Sequence, residues 1–153
     1  MKIRVVWVGK TQEDWVRRGI EEYTGRIGRY TQMEIAEARE EKGGVADVMR
    51  EREGERLAKL IPRNARVILM DELGEEMTSP ELARLLARYR DSGISELAFA
   101  IGGAYGFSES FRLRGDKTIA LSRMTFTHQM VRVFLLEQIY RGFTILNNEP
   151  YHH

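Results

Sequence analysis

Two short, uninterrupted apolar runs constrain the fold of this chain more than any other feature of its sequence. Residues 67–70 read VILM and residues 97–101 read LAFAI, and both runs are bounded by polar or charged residues. Such runs are too short for a core helix, and their lack of alternation indicates strands that are covered on both faces. Strands of this kind occur in parallel sheets flanked by helices, so the sequence predicts an α/β fold.

Weaker patterns around these runs predict the other elements, in an alternating order of strands and helices. β-Branched and aromatic residues mark two further strands, and Met33 and Ile35, which alternate with polar neighbours, mark a half-exposed third. The predicted strands are residues 3–8, 33–35, 67–70, 97–101 and 118–121, and the predicted helices are residues 12–27, 45–60, 79–92 and 127–146. This order predicts a mostly parallel sheet with helices on both faces, in a single domain of residues 1–153.

Capping residues predict where two of the helices begin. Ser79 followed by Pro80 is typical of a hydroxyl cap and a first-turn proline, and Gly93 predicts the end of that helix. Thr127 is a suitable cap for the last helix, which runs to about Leu146. This last helix is apolar on more than one side, so it is either a central core helix or in contact with a second subunit.

Composition excludes several classes of function. The chain has no cysteine, which excludes disulfides, thiolate catalysis, zinc–cysteine sites and iron–sulfur clusters. No metal is expected, because His128, His152 and His153 lack further ligands at metal-binding spacing. No apolar run approaches the roughly 18 residues of a membrane helix, so we expect a cytoplasmic protein without a membrane partner. The net charge of +1 is too small for binding nucleic acid by bulk charge.

Two glycine-containing segments resemble nucleotide-binding motifs without completing them. Residues 9–11 (GKT) look like the end of a P-loop, but the motif needs a further glycine where the chain has Arg4. Residues 102–106 (GGAYG) follow a predicted strand, but a dinucleotide fingerprint would need glycine at Ile101. A nucleotide-dependent oxidoreductase is therefore disfavoured. The glycines still allow either a plain turn or the close approach of a ligand to the backbone.

Longer motifs near the C-terminus carry a more specific signal. Residues 121–133 (LSRMTFTHQMVRV), residues 136–141 (LEQIYR) and residues 149–152 (EPYH) closely resemble the ribosomal large subunit methyltransferase H family, within the SPOUT methyltransferases. Residues 5–10 and 101–103 agree with the same family, so the resemblance covers essentially the whole chain. Thr127 departs from the family pattern, which has proline there, and Asn147 and Asn148 replace basic or glycine residues.

The resemblance implies a fold, a donor and a substrate. It implies a C-terminal trefoil knot, a homodimer, and S-adenosylmethionine as the methyl donor. The implied substrate is a pseudouridine of the large-subunit (23S) rRNA, methylated at N3 within assembled ribosomes. Carried over by position, the donor site comprises Met70, Gly102, Gly103, Leu121, Ser122, Arg123, Met124, Thr125 and Phe126. These residues follow three of the predicted strands, at the edge of a parallel sheet where ligands bind.

The implied reaction indicates which side chains are candidates for catalysis. The N3 acceptor is an imide N–H, which must lose its proton before it can attack a methyl group. We expect His128, His152 or Tyr151 to handle that proton, and Arg132 to stabilise the charge that spreads onto the flanking carbonyl oxygens. A noncatalytic ribosome-binding or assembly factor is the alternative, and retention of residues 121–126 and of both glycines favours the enzyme.

Overall fold

Five parallel strands form one sheet in the computed structural model, which describes residues 1–153. The strands are β1 (Lys2–Val8), β2 (Met33–Ala38), β3 (Arg66–Glu76), β4 (Glu96–Ile101) and β5 (Lys117–Ala120). The helices are α1 (Asp14–Ile27), α2 (Ala46–Lys59), α3 (Ser79–Asp91), α4 (Glu109–Arg112) and α5 (His128–Leu146). The strand order is β2-β1-β4-β3-β5 and every pairing is parallel, which confirms the predicted sheet.

Helices cover both faces of the sheet, as the sequence predicts. Ile3, Val5 and Trp7 of β1 point into a core that also holds the apolar faces of α1, α3 and α5. Val6 and Val8 point the other way, into a smaller core that includes Leu57 of α2 and Phe111 of α4. Because side chains alternate along a strand, each buried strand must be apolar on both faces, and this requirement explains the uninterrupted apolar runs.

Strand β3 is longer than the sequence predicts. Its apolar run was expected to end at Asp71, but pairing with β5 resumes at Glu75 after a register shift and continues to Glu76. Gly74 makes this possible, because a Cβ there would lie only 2.8 Å from the backbone of Ile119. The extension is acidic and carries no strand-like pattern, so only its partner strand reveals it.

The start of α3 also differs by one residue. Thr78, and not Ser79, is the cap: its side-chain oxygen accepts a hydrogen bond from the Glu81 amide at 3.2 Å. The Glu81 carboxylate accepts in return from the Thr78 amide at 2.7 Å, which completes a capping box. Helix α4 was not predicted, because a helix of four residues has no measurable periodicity.

The chain crosses the sheet between β5 and α5. Strand β5 lies at one edge, yet α5 begins beside β1, where Gln129 donates to the Lys10 carbonyl at 3.1 Å and accepts from the Gln12 amide at 3.0 Å. Residues 121–127 therefore run past the carboxyl ends of β3 and β4. The trefoil knot stays a prediction. No helix of the structure is both long and apolar enough to span a membrane.

Candidate active site

A cleft of about 730 Å³ lies at the carboxyl ends of β3 and β4. Residues 121–127, which we call the crossing segment, lie over it. Of the residues predicted from the sequence, those that line the cleft are Met70, Gly102, Gly103, Leu121, Ser122, Met124, Thr125, Phe126 and His128. Arg123 belongs to the same segment but points away, with a 90% exposed side chain that pairs with Glu76 at 2.7 Å. Residues far apart in sequence thus form one pocket of ordinary ligand-binding size.

One wall of the cleft is a tight glycine turn. The Gly106 amide donates to the Gly103 carbonyl at 3.0 Å, and Gly106 has a φ of +78°, a conformation that favours glycine. A Cβ at Gly102 would lie 3.1 Å from the carbonyl carbon of Gly106. The turn therefore presents bare backbone to the cleft, with peptide groups that a ligand can approach closely.

The end of β3 carries two acidic groups that the predicted site residues do not include. Asp71 directly follows the buried part of β3 and pairs with Arg112 at 2.6 Å, and its other oxygen accepts from the Leu73 amide at 2.9 Å. Glu72 accepts from the Thr125 hydroxyl at 2.6 Å and so fixes the crossing segment to the end of β3. The available signal was their position, because polar residues just beyond a buried parallel strand lie at the ligand-binding edge.

His128 is the one predicted proton-handling group that the structure brings into the cleft. It is the first residue of α5 and follows Thr127, whose side-chain oxygen caps the helix by accepting from the Met130 amide at 3.2 Å. This cap fixes the entry into α5 at the position where the family pattern has proline. Burial, with a smaller effect from Arg132, lowers the pKa of His128 below its ordinary value. The imidazole is therefore neutral at neutral pH and can accept a proton.

Arg132 lies outside the cleft, one turn further along α5. Its guanidinium is fully buried, donates to the Val8 carbonyl at 2.8 Å and to the Thr11 hydroxyl at 2.9 Å, and stacks 4.8 Å from the centre of the Trp7 ring. Burial lowers the pKa of Arg132 to about 10, so the group is still charged at neutral pH. Arg132 therefore holds α5 against the end of β1 and does not line the cleft.

The C-terminal tail is not brought into the cleft of its own chain. The Tyr151 hydroxyl donates to Glu137 at 3.0 Å, and its ring packs on Tyr140 with centroids 4.7 Å apart. Arg141 connects the same network, since it binds Glu137 at 2.6 Å and lies 3.2 Å from His152 Nδ1. Burial and the neighbouring carboxylate raise the pKa of Tyr151, so its phenol stays protonated and can donate but cannot act as a base.

A second, apolar groove of about 690 Å³ lies on the other side of the crossing segment, between α3 and α5. It shares Met70, Leu121 and Phe126 with the cleft, so one stretch of chain forms part of both. Phe134 lines the groove, is 37% exposed and meets Phe126 edge-to-face at 5.2 Å. Glu137, which holds the tail, lies at the rim of this groove.

Comparison with known proteins gives full-length matches. A family model described as a predicted SPOUT methyltransferase matches residues 1–152. Proteins named ribosomal RNA large subunit methyltransferase H from Geotalea uraniireducens, Geotalea daltonii and Trichlorobacter lovleyi are 74%, 70% and 54% identical over 153 residues, with all of this chain and all of each relative covered.

A solved structure supports the fold independently of close sequence similarity. It is titled as a probable methylase family protein from Haemophilus influenzae Rd KW20, and it matches with a TM-score of 0.56 at 11% identity. The match covers 99% of this chain and 70% of that chain. At this identity the likeness concerns the fold alone.

Proposed function

The chain belongs to the SPOUT methyltransferases, as a member of the ribosomal RNA large subunit methyltransferase H family, and we propose that it methylates N3 of a pseudouridine in 23S rRNA. It is an RNA methyltransferase. In our proposal residues 1–153 form one methyltransferase domain that acts in the cytoplasm on assembled ribosomes, with S-adenosylmethionine as the methyl donor and no metal. The observation that carries the proposal is the cleft formed by the glycine turn and the crossing segment.

The residues of the cleft suit S-adenosylmethionine. The bare backbone of residues 102–106 offers peptide groups, and Met70, Leu121 and Phe126 offer an apolar surface for an adenine ring. Glu72 supplies negative charge for a cationic ligand, whereas the charge of Asp71 is paired with Arg112. We therefore propose that the donor-binding residues are Met70, Gly102, Gly103, Leu121, Ser122, Met124, Thr125 and Phe126, with Arg123 supporting the segment from outside through Glu76.

The proposed chemistry needs a base in the cleft. When bound, the donor supplies an electrophilic methyl group. His128, kept neutral by burial, accepts the N3 proton of the pseudouridine. The N3 lone pair is then free to attack the methyl group. To stabilise charge on the pseudouridine directly, Arg132 would need its buried guanidinium to reach the nucleobase. We propose instead that Arg132 positions His128, by holding the first turns of α5 against Val8.

A homodimer completes the proposed site. The apolar groove is suited to a second copy of the chain, because it exposes Phe134 of α5, a helix that is apolar on more than one side. The tail lies at the rim of that groove through the bond between Tyr151 and Glu137. A partner seated there brings Tyr151 and His152 of one subunit near the cleft of the other, where both can stack on or hydrogen-bond to the base.

The test is methyl transfer to ribosomes with and without prior pseudouridylation, read by mass spectrometry of the rRNA. We expect one added methyl group on a pseudouridine, with no added metal, and none on ribosomes that retain uridine at that position. Transfer to both kinds of ribosome would overturn the pseudouridine specificity. Absence of transfer, together with absence of binding of labelled S-adenosylmethionine, would overturn the donor assignment.

A further inference from the structure

A buried carboxyl group lies directly behind the glycine turn. Glu53 projects from the interior of α2 and only 4% of the residue is exposed. Its Oε2 accepts a hydrogen bond from the Glu41 amide at 3.1 Å, whereas its Oε1 is buried without any hydrogen-bond partner. Buried polar atoms are normally paired, so an orphaned carboxyl oxygen at this place needs an explanation.

The absence of a side chain at Gly103 permits this arrangement. A Cβ at Gly103 would lie 2.9 Å from Glu53 Oε1 and 3.3 Å from Val8 Cγ1. Gly103 lines the cleft with its other side, so a single glycine separates the unpaired oxygen from the donor site. Close packing fixes the position of α2, because a Cβ at Gly54 would lie 2.6 Å from the Ser108 hydroxyl of the neighbouring segment.

No cation forms an ion pair with Glu53. The Glu41 carboxylate on the neighbouring loop binds the guanidinium groups of Arg52 at 2.8 Å and Arg56 at 2.7 Å. Glu40 adds a further negative charge on the same loop, and the neighbours from β1 and the turn are the uncharged Val8 and Gly103. Glu53 is therefore a buried carboxyl group without a paired cation, in surroundings where a charge acts over longer distances than in water.

Resting on the proposed function, we propose that Glu53 is a specificity-determining residue that favours the cationic sulfonium donor over the neutral thioether product. Methyl transfer moves a CH₃ group from sulfur to N3, and the sulfur keeps the bonding electron pair and loses its positive charge. The attraction to Glu53 therefore exists before transfer and is absent afterwards. A site of this kind binds the sulfonium donor more tightly than the thioether product.

The test compares two ligands that differ in this charge. S-Adenosylmethionine and S-adenosylhomocysteine share the same amino, carboxylate and adenosine groups and differ by the sulfonium methyl. Calorimetry gives both dissociation constants for the full chain and for Glu53→Gln, which keeps the shape and the acceptor for the Glu41 amide. Measurement at pH 8 is appropriate, because burial raises the pKa of the Glu53 carboxyl above its ordinary value.

We expect Glu53→Gln to weaken the binding of S-adenosylmethionine at least about fivefold and that of S-adenosylhomocysteine less than about twofold. Glu53→Asp, which keeps the charge, should retain the wild-type ratio of the two constants. Glu55→Gln, on an exposed position of the same helix, is the matched control. If Glu53→Gln does not fold, Glu53→Met gives the same comparison.

If folded Glu53→Gln keeps the wild-type ratio of the two dissociation constants, whether or not both ligands bind more weakly, the inference is overturned and Glu53 has a purely structural role. A wild-type protein that binds neither ligand would instead refute the proposed donor, so the two failures are distinguishable.

Discussion

At the scale of single residues, Gly102 is the proposed donor-site position where a side chain would meet the backbone of the turn. A Cβ there would already crowd the backbone of Gly106, so we expect Gly102→Val to displace the turn and reduce donor affinity by at least about tenfold. Calorimetry on the folded variant measures this. Gly25→Ala in α1 is the control: no atom lies within 4 Å of its Cβ position, so donor affinity should be unchanged and the helix stabilised by about 0.5–1 kcal/mol. Unchanged donor affinity in Gly102→Val would remove the turn from the site.

His128 gives a prediction about pH at the same scale. Because burial lowers its pKa, the imidazole stays neutral to a lower pH than a free histidine, so the acidic limb of the rate profile should lie below pH 6.5. His128→Gln should reduce single-turnover methyl transfer by about 10²-fold or more and abolish that limb.

The sign of the stability effect of His128 follows from the same shift. The unfolded chain binds this proton more readily than the folded one, so stability is lost as pH falls from 6.5 through the lowered folded pKa. His128→Gln should remove this part of the acid sensitivity in urea titrations. A variant that keeps both the acidic limb and the full rate would identify another group as the base.

At the scale of elements, the tail that follows α5 combines two roles. Deleting residues 150–153 should lower methyl transfer to ribosomes at least about tenfold, equivalent to roughly 1.4 kcal/mol, while dimerisation and donor affinity are largely retained. The deletion also removes the contacts of the Tyr151 ring with Tyr140 and Arg141, so the free energy of unfolding should fall by about 1–2 kcal/mol. Deleting the exposed His153 alone is the control. Full activity of the longer truncation would leave the tail with a structural role only.

The elements also show what could be predicted from sequence and why the rest could not. Both faces of β3 and β4 are covered, so residues 67–70 and 97–101 must be apolar. These apolar runs can be recognised in one sequence without knowledge of the structure. The extension of β3 to Glu76 is invisible, because an acidic segment becomes a strand only when β5 supplies the hydrogen-bond partners. Helix α4 is one turn long and depends on the capping side chain of Ser108.

The candidate site divides in the same way. Residues 121–126 are contiguous, so one motif could indicate all of them, and most line the cleft. Arg112 and Glu53 come from other segments and reach the site only through the tertiary fold, whereas Asp71 directly follows Met70 at the end of the buried run of β3. The implied reaction made both His128 and Arg132 candidates by their chemistry, but the side chain of His128 lines the cleft and that of Arg132 is buried against the end of β1.

At the scale of the whole molecule, the apolar groove predicts the oligomeric state. We expect a stable homodimer, twice the chain mass of 17.8 kDa, with an interface of roughly 1,600 Å² or more. Phe134→Glu places a charge in the groove and should yield a monomer in light scattering after gel filtration. Val48→Glu, at an exposed apolar position on α2, should leave the dimer intact. A wild-type monomer at micromolar concentration would contradict the prediction.

The bond between Arg132 and the Val8 carbonyl joins residues that are 124 positions apart in the chain. A ribosome makes Val8 124 residues before Arg132, so the end of β1 lacks the side chain that covers it until α5 has been synthesised. Contacts of such high sequence separation form late and slow the folding of the chain. A nascent chain that stops before residue 121 has neither His128, the proposed base, nor the segment that roofs the cleft. The proposed methylation of ribosomes therefore requires a chain whose synthesis has already passed α5.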